Sequence, residues 1–143
     1  HTEFIKDQEG YPGSKPPWGS LTAINLNNGR IIWKTPFGEY DKLMKKGIPI
    51  TGTYNYGGVT ATAGGLVFAT GTLDNKIRAF NSTNGKELWS YKLPFSGSSP
   101  PTIYEYNNEQ YILVPVTGSI SLRKAFPEIS KSGNKIYVFK LKK

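Results

Sequence analysis

The sequence predicts an all-β fold assembled from repeated four-stranded antiparallel sheets, and three observations carry that expectation. The first is a gap-free internal repeat. Leu21-Thr-Ala-Ile-Asn-Leu-Asn-Asn-Gly-Arg-Ile-Ile-Trp33 aligns on Ile77-Arg-Ala-Phe-Asn-Ser-Thr-Asn-Gly-Lys-Glu-Leu-Trp89, with identities at 23/79, 25/81, 28/84, 29/85 and 33/89. Self-similarity at a fixed offset is the signature of repeat architectures. The second is punctuation: 16 Gly and 10 Pro in 143 residues break the apolar residues into short runs, as many short strands require. The third is 9 Tyr, 7 Phe and 3 Trp, which supply the buried area that a disordered chain lacks.

Residues 1–17, rich in Gly and Pro, read as an irregular lead-in. Residues 18–36 form the end of one sheet, with strands at 21–26 and 31–34 joined at Asn28-Gly29. Asn-Gly is a strong hairpin signal because both residues tolerate positive φ. The linker 37–58 holds a short helix: Tyr40, Leu43 and Met44 fall at i, i+3 and i+4, and Lys45-Lys46 precede Gly47 as a C-cap. Residues 59–93 carry a full sheet. Val59-Thr-Ala-Thr-Ala63 alternates with period two, Leu66-Val-Phe-Ala-Thr-Gly71 is an apolar run between turn residues, and the second repeat copy adds two strands.

Four such strands make a sheet the size of one propeller blade. Residues 98–143 give a partial blade with strands at 101–106, 110–115 and 135–141. The last is a truncated third copy, Ile136-Tyr-Val-Phe-Lys-Leu141 lying on Ile77 to Ser82. Between them, 117–134 has no periodicity and reads as a surface loop. A sequence of two, four and three strands does not close a ring, since propellers need about 4–8 blades. The expectation is two to three blades of a larger propeller, incomplete as an isolated chain. Open edges template pairing with other chains, so such a chain is expected to form a homo-oligomer.

Composition excludes several functions. With no Cys and a single His at position 1, thiolate sites, His-based metal clusters and Ser-His-Asp triads are absent. No apolar run reaches the length of a membrane-spanning helix. The formal charge is +8, but 15 of the 18 basic residues are Lys scattered along the chain. A nucleic-acid site needs a basic stripe, and none is predicted.

The unit Ala-x-Asn-x-x-x-Gly-Lys/Arg-x-x-Trp resembles the tryptophan-docking repeat of the quinoprotein alcohol and sugar dehydrogenases, eight-bladed propellers that carry pyrroloquinoline quinone (PQQ). Gly10-Tyr-Pro12, Pro16-Pro-Trp-Gly19, Thr51-Gly-Thr-Tyr-Asn-Tyr-Gly-Gly58, Thr62-Ala-Gly-Gly-Leu-Val-Phe68, Arg78-Ala-Phe80 and Gln110-Tyr111 are similar to successive landmarks in the C-terminal part of membrane-type, glucose-dehydrogenase-like members. The resemblance implies a C-terminal fragment of an enzyme that oxidises a sugar or alcohol hydroxyl by hydride transfer to PQQ. Ca²⁺ or Mg²⁺ would act beside the cofactor, and electrons would pass to quinone or a cytochrome. It implies a periplasmic parent, in the membrane-type members one anchored to the inner membrane. It also places the catalytic base and the metal ligands in other blades, so the chain alone is expected to be inactive and to bind no cofactor. The alternative is a non-catalytic propeller of this type serving as a protein-binding scaffold. The segment from Thr51 to Gly58 discriminates, since a scaffold needs the Trp repeat without it.

Candidate residues follow. Trp33 and Trp89 recur with each blade, whereas the cofactor is single, so both are expected to dock between blades. The resemblance implies cofactor contact for Asn55, Gly57, Gly58 and Asp74. On residue chemistry alone, Asn55 with its glycines also reads as a turn, and Asp74 as an Asx-turn. No catalytic residue or metal ligand is assigned. The stretch from Val116 to Phe126 departs from the resemblance: it keeps Gly118 but not the glycine run of the relatives.

Overall fold

The architecture comes from a computed structural model that describes residues 4–127 and 130–140. Strands β1 (Ser20–Ile24) and β2 (Ile31–Pro36) form the first sheet. Helix α1 (Asp41–Lys45) follows. The second sheet has the order β3 (Val59–Ala61), β4 (Leu66–Ala69), β5 (Lys76–Asn81), β6 (Glu87–Lys92). The third is β7 (Thr102–Tyr106), β8 (Glu109–Val116), β9 (Lys135–Lys140), with helix α2 (Ile120–Ala125) between the last two strands. All pairings are antiparallel. The expected two, four and three strands are present, and residue 141 lies outside the described residues.

Period-two alternation decides what the middle sheet packs against. Successive side chains of a strand point to opposite faces. Val67, Ala69 and Phe80 face the first sheet, where they meet Leu21 and Phe37. Leu66, Phe68, Ile77 and Ala79 face the third, where they meet Ile103, Ile112, Val114 and Val116. Both faces are therefore covered, which explains why β4 reads as a continuous apolar run rather than as an alternating one.

The repeated hairpin differs from the expected two-residue turn. Gly29 (φ 69°) and Gly85 (φ 70°) adopt positive φ, whereas their Asn neighbours do not. The asparagines act through their side chains instead. Asn25 Oδ1 accepts from the Asn27 N–H and Asn81 Oδ1 from the Thr83 N–H, while Asn28 and Asn84 accept from the N–H two residues on. Both copies also carry the same bulge after the paired alanine.

That turn is where Trp33 docks. Its indole N–H donates to the Ser82 carbonyl at 2.8 Å, and its ring lies over Gly85, where a Cβ would sit 2.5 Å from Trp33 Cε3. Trp89 does not repeat this docking. It also meets the next sheet, but differently: it is 38% exposed and leans edge-on against Phe139 at 5.4 Å.

The region 117–134, expected as a loop, contains α2. Ser119 caps it by accepting the Leu122 N–H, and Leu122 and Phe126 are buried beside Tyr11, Tyr40, Leu43 and Leu73. Four residues apart, Leu122 and Phe126 share a face, a signal that a pair of apolar residues is too short to make periodic. Because strands alternate in direction, the connections 37–58, 70–75, 93–101 and 117–134 all emerge at one end of the sheets. The tight turns occupy the other.

Replacing Trp33 by Ala removes a docked ring and a hydrogen bond, and should cost about 3 kcal/mol. Trp89→Ala should cost less than half of that. Urea denaturation of the two variants checks the ranking.

Candidate functional site

The long-connection end is built by a zipper between loops. Beyond the β3–β4 pair Val59↔Ala69, the Thr70 N–H donates to Gly58 O at 3.3 Å and the Tyr56 N–H to Gly71 O at 2.9 Å. Asn55 then bridges to Thr72. Residues 55–58 thus run as an extension of the sheet. Gly57 is required for it: a Cβ there would overlap the Thr70 carbonyl oxygen. Gly58 leaves room for the Pro100 ring, which lets the loop entering β7 close in, and Thr60 Oγ1 donates to Pro101 O at 2.5 Å.

Asn55 itself is exposed. Its amide nitrogen makes one long contact, 3.4 Å to Thr53 O, and its side-chain oxygen has no partner among the described residues. It opens into a cleft shared with Trp18, Tyr54 and Tyr56. The rings of Tyr54 and Tyr56 are stacked at 6.0 Å, and Tyr54 packs on Phe126 at the same distance. An amide with free donor and acceptor capacity beside aromatic faces can bind a flat or ring-shaped polar ligand.

Asp74 has a different geometry. It is 5% exposed, and Arg78, four residues on, is 2% exposed. The guanidinium meets the carboxylate through both terminal nitrogens, Nη2 to Oδ2 at 2.6 Å and Nη1 to Oδ1 at 3.1 Å. Asp74 Oδ1 also accepts from Thr72 Oγ1 at 2.6 Å and from the Lys76 N–H at 3.1 Å, which is the expected Asx-turn. Oδ2 accepts the Glu39 N–H at 2.8 Å. Glu39 pairs in turn with Lys76, and Arg78 Nε with Glu87 at 3.0 Å. Both Asp74 oxygens therefore carry protein partners, and the network ties the start of the linker to the β4–β5 connection. Thr72 belongs to both the zipper and this network, so Asn55 and Asp74 are brought onto adjoining loops.

Burial opposes ionisation of Asp74, but the hydrogen bonds and charge of Arg78, with the Thr72 hydroxyl and the Glu39 N–H, outweigh it. They hold the carboxyl below its ordinary value. A folded pKa below the unfolded one contributes stability above the unfolded value, near pH 4, that is lost as pH falls through the folded value.

Arg78, Glu39 and the aromatic wall were not singled out as site residues by the sequence. Arg78 did leave a signal: within β5 it shares the face of Phe80, so a charge sits at a core position. Among the described residues, no group of three His, Asp or Glu side chains converges.

A four-stranded antiparallel sheet packed face on face between a two-stranded and a three-stranded one, with all long connections at one end, has the architecture of a β-propeller segment. A family profile described as "Glucose/ethanol/alcohol dehydrogenase, beta-propeller domain" matches residues 1–112, and the chain belongs to this PQQ propeller family. It is 37% identical over 123 residues to the glycerol dehydrogenase large subunit of Gluconobacter oxydans, covering 82% of this chain and 17% of that one. It is 36% identical over 118 residues to quinoprotein glucose dehydrogenase A of Acinetobacter calcoaceticus, covering 76% and 14%. The quinate/shikimate dehydrogenase (quinone) of Acinetobacter baylyi is 38% identical over 117 residues, with 77% and 14% covered. Among solved structures, a europium-containing methanol dehydrogenase superposes with a TM-score of 0.66 at 20% identity over 85% of this chain and 23% of its own. The quinohemoprotein alcohol dehydrogenase of Comamonas testosteroni gives 0.62 at 23% identity over 91% and 17%. These two establish the propeller fold. The chain spans only 14–17% of the length of the curated relatives named here.

Arg78→Met strands the buried Asp74 charge and should cost about 3–5 kcal/mol at neutral pH. The deficit should narrow as pH falls, because the wild type loses the stabilisation of its paired carboxylate while protonation relieves the stranded Asp74 charge in the variant. Urea titrations repeated from about pH 7 down to pH 3 measure both effects.

Proposed function

We propose that the chain is part of the propeller of a PQQ-dependent dehydrogenase that oxidises a hydroxyl group of a sugar or alcohol. The printed activities of the relatives, on glycerol, glucose and quinate or shikimate, support the substrate class. The observation that carries the reading to this chain is the segment 55–58, zipped flat against 70–72 with the Asn55 amide left exposed and nearly free.

The chemistry of these residues fits the cofactor. The Asn55 amide can donate to a carbonyl or carboxylate oxygen of PQQ and accept from a ring N–H. Tyr54 and Tyr56 wall the same cleft and exclude water from one side of it. Gly57 and Gly58 keep the segment close to its neighbours, so that no side chain lifts it away. Asp74 and Arg78 act one step back and fix the loop that carries Thr72, the partner of Asn55. PQQ, when bound, supplies the hydride acceptor. The ion beside it, Ca²⁺ or Mg²⁺, and the general base are assigned to the rest of the propeller, which is the principal partner of this chain. Quinone or a cytochrome takes the electrons, and the location is periplasmic. On its own the chain should self-associate through its open sheet faces.

The test has two arms. Asn55→Ala in the complete dehydrogenase should leave its thermal unfolding unchanged and weaken PQQ binding by about tenfold, the loss of one or two hydrogen bonds. The isolated 143-residue chain, given PQQ, Ca²⁺ and glucose, should reduce no dye. Unchanged PQQ affinity in the variant would remove Asn55 from the site, and turnover by the chain alone would refute the division of roles.

A further inference from the structure

The repeated hairpin carries a feature that neither the cofactor cleft nor the ion-pair network uses. Each copy places an Asn-Gly step, Asn28-Gly29 and Asn84-Gly85, in a turn at the end of the sheets away from the long connections, and both asparagines are exposed. The two turns hold this step with the same bonds. The Gly29 N–H donates to Asn25 O at 2.8 Å and the Gly85 N–H to Asn81 O at 2.9 Å, while Asn28 Oδ1 and Asn84 Oδ1 each accept, at 3.0 Å, from the N–H two residues on. What differs is the cover. Gly29 is exposed, and nothing lies within 4 Å of the place a Cβ would take on it. Gly85 is buried, with Trp33 Cε3 2.5 Å from the same place.

Asn-Gly is a step at which a chain readily modifies itself, because glycine has no Cβ to hinder its own nitrogen and attack on the preceding side chain closes a five-membered ring. The glycine nitrogen gives its proton to water or hydroxide and bonds to the asparagine Cγ; the Cγ–Nδ2 bond breaks and ammonia leaves. Water then opens the cyclic imide at one carbonyl or the other, leaving aspartate or isoaspartate. One water enters, one ammonia departs, and no electrons are transferred. Attack needs the turn to open first, since the folded turn keeps the glycine nitrogen on a carbonyl and the asparagine side chain on another N–H. The indole over Gly85, fixed by its bond to Ser82 O at 2.8 Å, resists that opening, and Gly29 has no such cover among the described residues. We propose that Asn28 is a site of spontaneous deamidation, converted to aspartate and isoaspartate through the Gly29 nitrogen, and that Trp33 protects Asn84 from the same reaction. Either product puts a carboxylate into the turn joining β1 to β2, and isoaspartate also lengthens its backbone by one carbon. The inference uses neither residues 55–58 nor Asp74, and stands or falls apart from the cofactor assignment.

Peptide mass spectrometry after incubation of the chain in mildly alkaline buffer tests it, because trypsin cuts after Arg30 and Lys86 and so separates the two sites. In the folded chain Asn28 should convert at least about tenfold faster than Asn84, and in concentrated urea the two should convert at similar rates. Trp33→Ala should raise the Asn84 rate to that of Asn28, with circular dichroism and an unchanged Asn28 rate showing that the variant is folded. Hydrogen exchange on the wild type needs no variant: the Gly29 amide should open about tenfold more often than the Gly85 amide. Equal conversion of the two sites in the folded chain, or a difference that persists in urea, would overturn the proposal. So would continued protection of Asn84 in folded Trp33→Ala. Equal exchange of the two glycine amides would overturn it whether or not the variant folds.

Discussion

The arrangement of the loop-rich end depends on one buried ion pair. Asp74 and Arg78 are each almost wholly removed from water, and such charges are tolerated only when paired and hydrogen-bonded throughout. Here every oxygen of the carboxylate is engaged, and the guanidinium reaches Asp74, Glu87 and Thr72 together. The partners come from three places: the start of the linker, the β4–β5 connection and the first residue of β6. The ion pair therefore links these three segments through hydrogen bonds on both of its partners.

From that constraint the candidate site follows. The Asx-turn at Asp74 sets the path of residues 70–72, and that path offers Gly71 O and the Thr72 backbone to residues 55–58. Two glycines on the opposing segment allow the approach. What remains exposed is one amide with aromatic neighbours, while the carboxylate close by is committed to structure. The site separates residues that hold position from residues free to bind.

Much of the fold was legible because propeller blades repeat and strands alternate. The paired Ala-Asn-Gly-Trp unit located two hairpins, the period-two run from Val59 located the inner strand of the middle sheet, and turn residues separated the rest. Helix α1 was visible through Tyr40, Leu43 and the C-capping Gly47. Helix α2 was not, since Leu122 and Phe126 are too few to make a periodic stripe and their burial depends on Tyr11 and Tyr40 far away in the chain. Sequence pattern alone assigns both repeated tryptophans one role; in the structure both meet the next sheet, Trp33 over the Gly85 turn and Trp89 edge-on against Phe139. Asn55 stood out by its glycines and by family resemblance. The long-range partners of Asp74 did not, as ion pairing between positions 39 and 74–78 leaves no local trace.

Native-state hydrogen exchange tests the central claim most directly. The Glu39, Lys76 and Tyr56 amides donate to Asp74 Oδ2, Asp74 Oδ1 and Gly71 O respectively. If the ion pair holds the linker and the zipper as one unit, these three amides open with a single free energy and lose protection together in Asp74→Asn. A Tyr56 amide that exchanges independently of the other two, or keeps its protection in that variant, would contradict the account.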